Sequence, residues 1–537
     1  MNKTVFLQTY GCQMNERDSE EVLGMLTAQG YEIAEQPEAA DVILLNTCSV
    51  RQHAEERAFS KMGELSMLKQ EKPDLVLGII GCMAKLQQET IFKRLPKVDL
   101  IAGPAELYDL PYLLAEIQEK RQAVDRGPWP AEKVAAVGRQ FRPLDAKPAG
   151  DYRRPGVRAF VTIMEGCDKA CTYCIVPKTR GQEISRPAHE IIEEIQRLVE
   201  AGYREVILLG QNVNSYGKRF PDGSGYKGPL GRLRLLEDNP DSLLDFPQLL
   251  RLLDDELHRG APQRLASESR VQRAGSEHLL SSGHLSDRAP DGRGVGGRFA
   301  DGAAPGTSVR ASGRCGCSAG MRVRFTTSHP FDANERLFEA MAECESVCGW
   351  LHLPAQSGSN RILRAMRRGY TAEAYLKKIE RLRELVPDIS LSTDIIVGFP
   401  GETDEDFQAT VRLMREVRYD YAYIFKYSPR PGTDAAARED DVPHEVKEER
   451  NQALLALQGE ASEACHKAWE GREAEILVEN QGKIAGQWFG RTRGNHGVII
   501  ESPDALLGQT MHVRITRGTP HTLFGELAAQ TCSGFLH

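Results

Sequence analysis

Residues 159–174 read AFVTIMEGCDKACTYC, an apolar run followed closely by Cys167, Cys171 and Cys174. The run is strand-sized and the cysteines fall in the loop beyond it. The stretch therefore predicts a strand delivering three thiols to the carboxyl edge of a sheet, where open α/β folds build their sites. Three thiolates this close can hold three irons of a [4Fe–4S] cluster. The fourth iron would then be open to a ligand from outside, as the open position of a catalytic zinc is. The competing reading is a structural zinc site. Zinc would need a fourth Cys or His, and the nearest later candidate, His189, opens a predicted helix. Tyr173 reads as packing beside the triad.

Downstream, five further strand-like runs follow at Glu205–Leu209, Val323–Thr326, Trp350–Leu353, Ser390–Val397 and Tyr421–Tyr427. Helical stretches such as Ala188–Ala201, Ala372–Leu385 and Asp404–Glu416 separate most of them. Six βα units predict a partial (β/α) barrel over 153–466, with the triad after its first strand. Residues 258–320 interrupt it with Gly, Ser, Arg and Ala and almost no apolar periodicity, and read as a disordered insertion. Upstream, 119–152 is rich in Pro, Ala, Arg and Gly and reads as a linker.

Residues 1–118 form another βα series, with strands at Thr4–Gln8, Asp41–Asn46 and Leu75–Gly81. This predicts a small parallel α/β domain. A cysteine follows each strand: Cys12, Cys48 and Cys82. Three such positions at one sheet edge could hold a second cluster. Redox-active thiols or small buried side chains are the alternatives. Residues 467–532 change pattern to short strands between turns and predict a small all-β barrel of the size of OB-like RNA-binding modules. The fold class is thus α/β with an all-β C-terminal module.

The 537 residues exceed what one core supports. With 41% hydrophobic and 27% charged residues, the chain has the composition of a soluble globular protein. No apolar run approaches a membrane span, and MNKTVFLQTYGC lacks a signal-peptide pattern, so a cytoplasmic protein without membrane contact is expected. The net charge of −8 means that any RNA site is a local patch. Twelve cysteines are too sparse for a disulfide scaffold.

The segments around the six cysteines, TYGCQMNERDSE, LLNTCSVR, GCMAK and MEGCDKACTYCIVPKTRGQEISRP, resemble the radical S-adenosylmethionine (SAM) methylthiotransferase family. ILLGQNVNSYG, RFTTSHP, HLPAQSGSNRILRAMRRGY, STDIIVGFPGET and FKYSPRPGT continue the resemblance in order. GRTRGNHGVII is similar to the family's TRAM domain, and TYGCQMN with GQNVNSYG to its MiaB branch, which modifies tRNA. The resemblance covers nearly the whole chain outside the insertion. It implies a radical SAM barrel and two [4Fe–4S] clusters, one on Cys167, Cys171 and Cys174 and the other on Cys12, Cys48 and Cys82. It further implies that SAM binds the open iron of the first cluster and is cleaved to a 5′-deoxyadenosyl radical, while the second carries sulfur. The implied reaction is methylthiolation of C2 of N6-isopentenyladenosine at tRNA position 37, using two SAM. A low-potential electron donor and a sulfur source are the implied partners, and a monomer is expected.

Polar residues at other strand ends are candidate contacts to SAM or the base. Gln211 and Asn212 follow the second barrel strand, Gln356 the fourth, and Glu402 the fifth, where the neighbouring glycines permit close approach. Ordinary turns would explain the same residues. Lys178 and Arg180 are placed to meet phosphate or carboxylate. Arg361, Arg364 and Arg368 are spaced to share a helical face for RNA, or a solvated basic face. In the C-terminal barrel Arg491, Arg493, Arg514 and Arg517 are RNA candidates, whereas Trp488 and Phe489 suit the core better than a base. Cys315, Cys317, Cys344, Cys348, Cys465 and Cys532 read as incidental.

Overall fold

The computed structural model describes residues 3–49, 52–123, 133–139, 152–220, 244–258 and 320–528. All but the two end residues of the insertion expected at 258–320, and most of the linker expected at 119–152, lie outside the described residues.

The N-terminal segment builds a parallel sheet from β1 (Thr4–Tyr10), β2 (Glu32–Ile33), β3 (Val42–Thr47), β4 (Val76–Ile80), β5 (Leu100–Ala102) and β6 (Val134–Ala136), in the order β2-β1-β3-β4-β5-β6. Every residue of β3 and β4 is buried, which is why VILLNT and VLGII are near-continuous apolar runs. Successive residues serve opposite faces. Ile43, Leu45, Leu77 and Ile79 pack in one core with Met62 and Ile91, and Val42, Leu44, Val76 and Ile80 in the other with Leu26 and Leu114. The stretch read as a linker is not featureless: β6 lies within it and pairs in parallel with β5. Val134-Ala-Ala has too little apolar contrast to reveal that edge strand.

The central segment runs β7 (Arg158–Thr162), β8 (Met164–Glu165), β9 (Ile184–Ser185), β10 (Glu205–Leu209), β11 (Arg322–Thr326), β12 (Trp350–His352), β13 (Ser390–Val397) and β14 (Tyr421–Lys426). The six barrel strands match the expected runs to within a residue or two. They form two parallel ladders, β7-β10-β11 and β12-β13-β14, with β8 and β9 as a separate antiparallel pair. Between the ladders a parallel bridge joins Val323 to Val347.

Residues from Glu473 onward close into a barrel, β15 (Glu473–Gln481), β16 (Gln487–Thr492), β17 (Gly497–Glu501), β19 (Leu523–Leu527) and β18 (Thr510–Gly518). Four of these strands are legible in the sequence, and β19 completes closure. Trp488 is in its core, with Nε1 donating to the Ser502 carbonyl at 3.3 Å. Among the described residues no helix is long and apolar enough to cross a membrane.

A buried ionic network locks the first sheet to the barrel. Arg17, on the helix Gln13–Ala28, lies 3.4 Å from both Glu20 and Glu21 and 3.3 Å from Glu194 on the helix Ala188–Glu200. Arg153 pairs with Glu194 as well and reaches Glu20 at 3.2 Å, while Arg186 reaches Glu194 at 2.8 Å. Burial opposes ionisation of Glu194, but Arg186, Arg17 and Arg153 overcome it and hold the carboxyl at about 2.

Candidate functional site

The ends of β1, β3 and β4 lie side by side in register, Tyr10 opposite Thr47 and Asn46 opposite Ile80. Cys12 caps the helix that follows β1, Cys48 follows β3, and Cys82 opens the helix Cys82–Leu86 after β4. A polar frame underneath holds these turns. Asn15 Nδ2 donates to Asn46 Oδ1 at 2.9 Å, and Asn46 Nδ2 donates to the Asn15 carbonyl at 2.9 Å and to Ser19 Oγ at 3.0 Å. Gly81 has φ +91, and a Cβ there would sit 2.3 Å from Asn46 Oδ1, so the turn into Cys82 requires glycine.

The second triad hangs from the loop after β8. Gly166 has φ +76 and lies so close to Gln182 that a Cβ would come within 2.0 Å of its carbonyl oxygen. The Cys167 amide donates to the Gly181 carbonyl at 3.1 Å, and the Cys174 amide to the Cys171 carbonyl at 3.1 Å. Burial pushes the Cys167 thiol up to about 12 and the Cys174 thiol to about 11.

Two donors converge on Cys171. Arg368 Nη1 is 3.4 Å from its Sγ, and the rest of that guanidinium is fixed by the Pro354 carbonyl (2.9 Å) and Tyr370 Oη (3.0 Å). His329 Nδ1 accepts from the Phe331 amide at 3.2 Å, so the ring proton sits on Nε2, which faces Cys171 Sγ at 3.8 Å. Burial, with Arg368 second, keeps that imidazole neutral, far below its ordinary range. The expectation that Arg368 shares an RNA-facing helix surface with Arg361 and Arg364 fails. The helix Asn360–Ala365 stops before it, Arg367 turns left-handed at φ +56, and Arg368 swings inward to 5% exposure. Arg361 is engaged with Asp406.

Arg180 stands between the triads. Its guanidinium meets Asp18, on the helix behind Cys12, at 2.5 Å, an internal ion pair. The hydrogen bond with Cys48, helped by the Arg180 charge, holds the Cys12 thiol at about 6 against burial. Burial instead raises Cys82, with Arg180 opposing.

Both triads line one cavity of about 1890 Å³. Gln211 and Gln356 line it too, each with a buried Oε1 that has no hydrogen-bond partner among the described residues. Gln356 is held left-handed at φ +69 by bonds to β13, a conformation costly for a residue with a Cβ. Asn212 also lines the cavity, but its side chain is spent on the 329–332 loop: Nδ2 donates to Asp332 at 2.6 Å and Oδ1 accepts from the His329 amide at 3.1 Å. Glu402 is placed elsewhere. It accepts from the Gly398 amide at 2.9 Å and from Arg450 at 2.8 Å, and is not part of the cavity wall.

The same cavity is lined by a group of aromatic side chains, Trp350, His352, Tyr423 and Phe425. Trp350 and His352 stack with centroids 6.4 Å apart, and Tyr423 meets His352 edge-on at 6.0 Å. Tyr423 is 54% exposed and Phe425 43%. The alternation of β12 and β14 had assigned these residues only to strands. Their grouping depends on chain segments distant in sequence, as does that of His329 with Arg368.

Residues 4–103 match the family described as Uncharacterized protein family UPF0004, residues 161–256 and 309–414 the Radical SAM superfamily, and residues 467–528 the TRAM domain. A protein of Carboxydothermus hydrogenoformans named tRNA-2-methylthio-N(6)-dimethylallyladenosine synthase is 40% identical over 530 residues, 98% of this chain and 99% of that one. Proteins of the same name from Desulforamulus reducens (40% identity, covering 98% and 96%) and Opitutus terrae (39%, covering 98% and 98%) are similar over their whole lengths. Among solved structures, the radical S-adenosylmethionine methyltransferase TsrM of Kitasatospora setae, with cobalamin and a [4Fe-4S] cluster bound, gives a TM-score of 0.48 at 13% identity, covering 81% of this chain and 77% of its own.

Proposed function

Because the chain belongs to the family of tRNA-2-methylthio-N(6)-dimethylallyladenosine synthases, we propose that it methylthiolates C2 of N6-isopentenyladenosine in the tRNA anticodon loop. Two SAM are consumed per product. The observation that carries this reading is the shared cavity, onto which both cysteine triads open beside an aromatic wall.

The donor sets suit iron–sulfur clusters. Among the described residues, three ligand atoms converge within 4.8 Å only at Asp420, Cys465 and His496, so neither triad is gathered around a single ion. Three thiols at wider spacing match the separate irons of a cluster. Cys167, Cys171 and Cys174 would hold one [4Fe–4S] cluster and Cys12, Cys48 and Cys82 the other; bound there, the clusters supply one-electron reduction of SAM and a transferable sulfur.

The protein's own residues position and insulate. Arg368 and His329 direct N–H groups at Cys171 Sγ and offset the negative charge that a thiolate-bound centre accumulates. Gln211 and Gln356 present free carbonyl oxygens to the amino and hydroxyl groups of SAM. Asn212 acts indirectly, by fixing the loop that carries His329. Trp350, His352, Tyr423 and Phe425 offer an apolar, stacking surface for an unstacked adenine and its isopentenyl group. The three segments 1–118, 153–466 and 467–532 divide the work into sulfur supply, radical generation and tRNA binding. A low-potential electron donor and a sulfur source complete the system, and the chain acts as a monomer in the cytoplasm.

The decisive experiment is mass spectrometry of tRNA nucleosides from cells with and without the gene. The methylthio group should vanish from isopentenyladenosine in its absence. Unchanged methylthiolation, or product formed on a protein instead, would overturn the proposal.

A further inference from the structure

Outside the cavity that the triads line, the seam between β14, the helix His444–Lys467 and the C-terminal barrel holds a convergence of ligand-type side chains. Asp420 precedes β14, Cys465 lies in the last turn of that helix, and His496 sits between β16 and β17. Cys465 Sγ is 3.0 Å from Asp420 Oδ1, and His496 Nε2 is 3.4 Å from the same oxygen. The other carboxylate oxygen is anchored by the Leu391 amide at 2.7 Å, which aims Oδ1 at the cluster.

With both imidazoles neutral, the hydrogen-bond accounting does not close. His466 Nδ1 is 2.5 Å from the Thr519 carbonyl, which only accepts, so the His466 proton is on Nδ1 and Nε2 is a lone pair. That lone pair faces His496 Nδ1 at 3.2 Å. If His496 is protonated on Nε2, two imidazole lone pairs confront each other. If it is protonated on Nδ1, its Nε2 lone pair confronts the Asp420 carboxylate. Tyr421 Oη, 3.3 Å from His466 and 3.4 Å from His496, has one proton and relieves at most one nitrogen. His466 is 0% exposed and His496 2%, so both rings are screened from bulk solvent. A cation among Asp420 Oδ1, Cys465 Sγ and His496 Nε2 removes the conflict, as a second proton on His496 would. It fixes His496 as the Nδ1–H tautomer donating to His466, the outer hydrogen bond that orients a metal-bound histidine.

We propose that Asp420, Cys465 and His496 bind a zinc ion, which staples the C-terminal barrel to the radical-generating domain. One sulfur, one imidazole nitrogen and one carboxylate oxygen form a borderline-soft set suited to Zn²⁺, with solvent in the fourth tetrahedral position. Binding displaces the Cys465 thiol proton, which leaves to solvent.

The test is metal analysis of the cluster-loaded enzyme equilibrated with zinc and desalted. Wild type should retain about one zinc per chain. Cys465→Ala and His496→Ala should lose it while keeping full iron content. Zinc-edge X-ray absorption of wild type provides a readout independent of how the variants fold, and should show a single sulfur among lighter donors. No retained zinc, equal zinc in wild type and variants, or an all-sulfur shell would each overturn the assignment.

Discussion

Replacing Glu194 by Gln tests whether the buried ionic network holds the two triads in one cavity. The side chain is isosteric, so packing is preserved and only the charge goes. Glu194 is 4% exposed and surrounded by Arg17, Arg153 and Arg186. Its carboxyl, lowered from 4.5 to about 2, contributes about 3 kcal/mol at pH 7, taking ~1.4 kcal/mol per pH unit. Breaking a buried pair by removing one partner typically costs about 3–5 kcal/mol, which agrees. A depressed carboxyl stabilises the fold above its unfolded value, and that contribution fades as pH falls from about 4.5 towards about 2. The gap between wild type and Glu194→Gln should therefore be about 3 kcal/mol at pH 7 and shrink to about 1 kcal/mol at pH 3.

Urea unfolding across that pH range measures the gap. Glu64→Gln is the control, because Glu64 pairs with Lys61 on the surface and its side chain is 69% exposed; its stability should match wild type. Since the network joins the helix behind Cys12 to the barrel, Glu194→Gln should also lower methylthiolated product more than SAM cleavage. A Glu194→Gln protein as stable as the Glu64→Gln control, or a gap independent of pH, would refute the reasoning.

Cys12→Ala, Cys48→Ala or Cys82→Ala should abolish methylthiolated product while reductant-dependent SAM cleavage persists; full product formation would remove these residues from the reaction. Arg368→Met should lower SAM cleavage about 10- to 100-fold, the usual cost of losing a hydrogen bond to a metal ligand, and shift the midpoint potential of the cluster on Cys171. Tyr423→Ala should raise KM for tRNA by about five- to a hundredfold, corresponding to ~1–3 kcal/mol of base stacking, without altering SAM cleavage in the absence of tRNA.

The βα repeat, the six barrel strands and the six cysteines were legible because each depends on local pattern. Parallel strands buried on both faces give continuous apolar runs, and cysteines just beyond strand ends fall at one sheet edge. Short elements such as β6 and β19 were not legible, since Val134-Ala-Ala has little apolar contrast and LFGEL is interrupted by Gly525. Arg368 misled for a related reason. Helical spacing assumed that the helix continued, whereas a left-handed Arg367 redirected the chain.

The polar candidates divide along the same line. Gln211, Asn212, Gln356 and Glu402 all follow strands, and sequence could not separate a side chain facing a ligand from one stitching a turn. Partnering does separate them. Asn212 is engaged with the 329–332 loop, and Glu402 is engaged with Gly398 and Arg450 outside the cavity wall. Gln211 and Gln356 each keep a buried oxygen unpaired, and a buried acceptor without a donor is costly unless something arrives to fill it. The same reasoning exposes the seam cluster. Cys465 lies 45 residues from Asp420, and no motif spacing links them. Only after β14, a helix and a barrel turn are packed together does one oxygen face a thiol and an imidazole. At the triads the cysteine spacing announced the chemistry before the fold did. At the seam the fold creates it, which is why a cysteine that reads as incidental becomes a ligand.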